Sequence, residues 1–197
     1  MAIATGMDAG GAHPVTFSVA YPESLSRWKI FVKFLLAIPH LVVLYALSLA
    51  AGITTLVAWF AILFTGKYPD GLFKFAVGVQ RWNYNVNVYT LLLRDEYPPF
   101  SMDAGLYPVT YEVDYPDHLS RLLIFVKFLL ALPNAIVLLV VLLVACLASI
   151  VAWFAILFTG KYPRGIFDFV SGALRWNARL NAYTNLMTDT YPPFSLD

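Results

Sequence analysis

The chain has 197 residues, 60% of them hydrophobic and 13% charged, and its 13 Lys+Arg against 12 Asp+Glu leave a net charge of +1. A soluble domain is roughly 45–50% apolar and about 25% charged. The excess of apolar residues excludes intrinsic disorder, a nucleic-acid partner held by a basic field, and a water-soluble monomer.

Residues 1–13 are rich in Gly and Ala, with neither a basic n-region nor an apolar h-region, so they read as a flexible tail and not as a signal peptide. From Pro14 onward the chain repeats itself. When Pro14 is laid on Pro108, Ile30–Ala37 (IFVKFLLA) meets Ile124–Ala131 without a gap. Ala58–Pro69 (AWFAILFTGKYP) meets Ala152–Pro163, and Tyr97–Ser101 (YPPFS) meets Tyr191–Ser195. More than half of the paired positions are identical, so repeats at 14–103 and 108–197 are joined by a linker at 104–107.

Each repeat opens on period-2 alternation, over Val15–Tyr21 and Val109–Tyr115, which predicts a strand closed by proline on both sides. The two strands are expected to pair into a small sheet outside the bilayer. Next comes Ser24–Ile38, where Ser26, Lys29 and Lys33 recur at helical spacing opposite Leu25, Trp28, Val32 and Leu35. That pattern predicts a helix in the headgroup region with its lysines reaching outward. The second repeat keeps Ser120 and Lys127 but has Leu123 in place of Lys29.

From Phe34 to Gly66, and from Phe128 to Gly160, there is no Asp, Glu, Lys or Arg. Each window is about 33 residues, roughly 50 Å as a straight helix against about 30 Å of hydrocarbon. Pro39 and Pro133 suit a first helical turn, so a spanning helix is expected over 39–64 and its counterpart. Trp59, Tyr68, Trp153 and Tyr162 then form an aromatic belt at the far end. One crossing per repeat would place the repeats upside down relative to each other. Re-entrant hairpins would gather every cation on one face, but neither window has turn chemistry near its centre, so single crossings are expected. The last element, Gly71–Leu93 and Gly165–Met187, is helical in pattern but polar, and a surface-lying amphipathic helix costs less than a buried arginine.

No histidine or cysteine recurs between the repeats. His13, His40 and His118 face Tyr107, Asn134 and Ser24 in the other copy, and Cys146 is solitary. There is no His-x-x-x-His, Glu-x-x-His or Cys-x-x-Cys. His40 reads as a capping or water-facing residue. Asp95-Glu96 becomes Asp189-Thr190, which reads as a solvated loop. No catalytic, metal or cofactor site is expected, and the chain is not expected to be an enzyme. Two other sets stand out. Ala51, Thr55 and Ala58, with Ala145, Ser149 and Ala152, make a narrow small-residue stripe suited to close helix approach, either to the other repeat's stripe or to another chain. Lys33, Lys67, Arg81 and Trp82, with Lys127, Lys161, Arg175 and Trp176, make a basic and aromatic set able to meet lipid phosphates.

These motifs, together with Leu-Ser-Arg at 25–27, Phe-Val-Lys-Phe-Leu-Leu-Ala-Ile-Pro-His at 31–40 and Arg-Trp at 81–82, resemble the bacterial family called domain of unknown function 4389. The resemblance implies a bacterial cell-membrane protein and transfers no catalytic residue. The expected fold class is mainly α and integral membrane: a tandem repeat of a long hydrophobic helix plus amphipathic interfacial helices, each opened by a short strand. The expected role is that of a multi-pass structural or accessory protein, in contact with the bilayer and with another membrane protein or itself. The alternative is a carrier of lipid or hydrophobic small molecules.

Overall fold

Alternation of apolar and polar residues gives each repeat one strand, β1 (Val15–Val19) and β2 (Val109–Val113). They pair antiparallel, with Phe17 opposite Tyr111 at the centre of the register. Those two positions are equivalent in the two repeats, so a pseudo-two-fold axis passes through this pair. The structure, a computed structural model, describes residues 13–197. The expected tail lies outside the described residues except for His13.

Each strand is followed by a long helix and a shorter one: α1 (Lys29–Thr65) and α2 (Asp70–Thr90), then α3 (Leu123–Thr159) and α4 (Arg164–Thr184). The headgroup helix expected over 24–38 and the spanning helix expected from Pro39 are one element of 37 residues. Pro39 and Pro133 lie inside α1 and α3 instead of opening them. An internal proline removes the donor to the carbonyl four residues back and crowds that turn. Here Tyr97 Oη donates to the Leu36 carbonyl at 3.1 Å, and Tyr191 Oη to Leu130 at 3.2 Å. These bonds fall on the carbonyl next to the one that each proline leaves free, Leu35 or Leu129, so the Tyr-Pro-Pro-Phe-Ser segments brace that turn without replacing the missing bond. Both long helices end on a left-handed glycine, Gly66 and Gly160, the conformation only glycine adopts without strain.

The molecule has three layers. The buried face of the sheet covers α2 and α4, and those cover α1 and α3. Coverage is exchanged between repeats: β2 packs on α2, and β1 on α4. Arg81 Nε donates to the Tyr111 carbonyl at 3.1 Å, and Arg175 Nε to that of Phe17 at 3.0 Å. Tyr84 packs against both Phe17 and Tyr111 and donates to Asn177 Oδ1 at 2.9 Å. Neither repeat completes its core alone.

The long helices run antiparallel. The Leu25 amide, just before α1, donates to Gly160 just after α3, and the Leu119 amide donates to Gly66, both at 2.8 Å. Phe31 meets Trp153 at 5.2 Å and Trp59 meets Phe125 at 5.1 Å, one contact at each end of the pair. Both helices are long and apolar enough to cross a membrane.

Candidate functional site

The most unusual surface is apolar. Along α1, residues Phe31, Phe34, Leu35, Val42, Tyr45, Leu49, Ile53, Leu56, Phe60 and Phe64 are exposed. Along α3, Phe125, Phe128, Ile136, Leu143, Leu147, Ile150, Phe154 and Phe158 repeat the arrangement. Folding leaves this face bare because α2 and α4 cover only the opposite side of each long helix. Contiguous apolar patches of this extent mark a surface that meets something other than water.

The basic set has other partners. Lys33 and Lys127, expected to reach outward, are each 1% exposed. Lys33 Nζ pairs with Asp95 at 2.7 Å, donates to the Arg94 carbonyl at 2.7 Å and lies 5.2 Å above the Tyr89 ring. Lys127 pairs with Asp189 at 2.7 Å and donates to the Thr188 carbonyl at 2.8 Å. Burying an ammonium needs a full set of partners, and the loop after each shorter helix supplies it. The left-handed residues Leu92 and Leu186 turn the chain at that point. Asp95, read as a solvated loop residue, is therefore half of a buried ion pair. The signal available in the sequence was that Asp95 recurs as Asp189 while Glu96 does not.

Arg81 and Arg175 are held by two carbonyls each, the second being Met102 and Leu196 at 2.7 Å. Trp82 and Trp176 are buried, and their indole N–H groups donate to His40 Nδ1 at 3.0 Å and Asn134 Oδ1 at 2.7 Å. His40 is fully buried and stacks on Phe100 at 3.8 Å, so it neither caps a helix nor faces water. Of the eight basic and aromatic candidates, Lys67 and Lys161 alone are exposed at the surface.

The small-residue stripes do not bring the long helices together along their length, since α1 packs chiefly on α2 and α3 on α4. Thr55 and Ser149 donate back to the carbonyls of Ala51 and Ala145 at 2.9 Å. Ala58, Ala145 and Ala152 are buried in the main core, which includes Tyr68 and Tyr162. Two clefts open between the long helices. One, of about 220 Å³, is lined by Lys33, Thr90 and Ser149, and the other, of about 310 Å³, by Thr55, Lys127 and Thr184. Among the described residues, no three His, Cys, Asp or Glu side chains are grouped to hold a metal ion.

Two stretches of the chain, residues 27–102 and 121–195, match the family described as Domain of unknown function (DUF4389). No curated protein and no solved structure matches the chain.

Proposed function

The chain belongs to the DUF4389 family in two tandem copies, and from that premise we propose that it is a membrane-embedded structural or accessory protein without catalytic activity. The observation that carries this reading is the continuous apolar face of α1 and α3. Support comes from the polar interior: the buried lysines and His40 are engaged within their own repeats, and Arg81 and Arg175 each tie one repeat to the other's strand. The layer above the apolar face is left to present strands and loops to a partner protein or to a second copy. The carrier reading comes second: the clefts between the long helices are small, about 220 and 310 Å³, and the larger cavity, of about 680 Å³ between α2 and β2, is lined by charged side chains including Asp70, Lys74, Glu112 and Asp114, which suits a lipid tail or apolar cargo poorly.

The test is the native mass of the full chain purified from membranes in mild detergent. A discrete assembly larger than one chain supports the proposal, and a lone monomer with nothing co-purifying overturns it. Mass spectrometry of the same sample for bound lipid tests the carrier reading.

A further inference from the structure

We propose that α1 and α3 lie side by side in the plane of a single membrane leaflet, with the sheet and both shorter helices on its aqueous side, and do not cross the bilayer. This rests on the membrane reading above and settles how the chain sits in the lipid.

Two helices exchanged by a two-fold axis run antiparallel only when the axis is perpendicular to them. Here α1 and α3 are antiparallel, and the axis passes through the Phe17–Tyr111 pair at the centre of the sheet. If the long helices stood along the membrane normal, the axis would lie in the bilayer midplane and the sheet would sit there too. Its outer face carries Thr16, Ser18, Thr110 and Glu112, all exposed, and no further strand joins either edge, where an arginine caps the central carbonyl. A polar strand face and a carboxylate turned toward acyl chains are not tolerated at that depth.

Rotating the molecule so that the axis is the membrane normal removes the conflict. The sheet then faces water and the apolar face of α1 and α3 meets lipid, as an amphipathic element does at an interface. Helix length agrees: 37 residues give roughly 55 Å, far beyond the about 30 Å that a crossing needs. Charge agrees as well. Exposed cations border the apolar face at both ends, Arg27, Lys29 and Lys161 at one and Arg121 and Lys67 at the other, where headgroup phosphates would lie. The occupant of this face is therefore one leaflet of an anionic phospholipid bilayer. A second copy packed face to face is the competing occupant.

A doubly substituted full-length chain, Lys67→Cys/Lys161→Cys on a Cys146→Ala background, distinguishes these arrangements. It is reconstituted into sealed phosphatidylcholine/phosphatidylglycerol vesicles, treated with a membrane-impermeant maleimide and weighed intact. Lys67 and Lys161 follow the C-termini of antiparallel helices. In the proposed arrangement both lie on one side, so each molecule carries two labels or none, whatever its orientation. Molecules carrying a single label show the two residues on opposite sides, which overturns the in-plane arrangement while leaving the membrane reading intact. A chain that stays in the aqueous phase as a dimer and fails to join the vesicles overturns both.

Discussion

Trp82 Nε1–H donates to His40 Nδ1 at 3.0 Å, and the same bond is made in the other repeat by Trp176 and Asn134 at 2.7 Å. Two different side chains thus do one job, accepting a buried indole proton between a long helix and its shorter partner. Asn134 also donates to the Pro192 carbonyl at 2.9 Å, so the amide ties the Tyr-Pro-Pro-Phe-Ser segment in as well.

His40→Asn keeps an acceptor for the Trp82 N–H, as Asn134 does for Trp176, and is therefore expected to cost less than an apolar replacement. His40→Leu leaves the Trp82 N–H buried and unpaired, at a cost of about 1–3 kcal/mol. Thermal unfolding of the two variants in the same detergent separates them. Equal losses would show that the hydrogen bond is not what His40 contributes.

Asp95→Ala is expected to cost about 3–5 kcal/mol, since it strands the Lys33 ammonium in the interior. The carboxylate also accepts the Ser26 amide, which places the entry to α1. Replacing both partners, Lys33→Met with Asp95→Leu, removes the buried charge and is expected to restore much of the loss. Denaturation of single and double variants measures the difference, and a double variant worse than Asp95→Ala would contradict it.

Gly66→Ala and Gly52→Ala should move stability in opposite directions. Gly66 has φ of +73°, and a Cβ there would lie 2.6 Å from His118 Nε2. The left-handed backbone alone costs about 1–2 kcal/mol. Gly52 lies within α1 with nothing within 4 Å of an added Cβ, so alanine there should stabilise by up to about 1 kcal/mol. Melting temperatures of the pair in one detergent provide the comparison.

Alkaline pH should unfold the sheet layer. Burial pushes the phenols of Tyr84 and Tyr107 above their ordinary value, and pushes Tyr111 well above it. A folded pKa higher than the unfolded value of about 10 means that this stability is complete below pH ~10 and is lost as pH rises beyond it. The part of the tyrosinate absorbance that is lost when these three phenols are replaced by Phe should accordingly appear together with loss of secondary structure and not before it. Titration of these phenols in the folded protein would refute their burial.

Hydropathy and repetition alone determined much of this molecule. Two charge-free windows can form little other than long apolar helices, and alternation at Val15–Val19 and Val109–Val113 marks strands, because both follow from local periodicity. The repeat also made their pairing expected. Local pattern misled at Pro39 and Pro133. A proline costs a helix one bond and some crowding, which packing along a 37-residue helix outweighs, and Tyr97 and Tyr191 brace the same turn from about sixty residues away in the chain. The destination of each cation was equally invisible: Lys33 is apolar-flanked in sequence whether it reaches lipid or Asp95, and only the return of α2 along α1 decides. The exchange of strands between repeats was decided by packing as well. Each strand has one apolar face and could cover either shorter helix, and it is the antiparallel register centred on Phe17 and Tyr111 that lays β1 over α4 and β2 over α2.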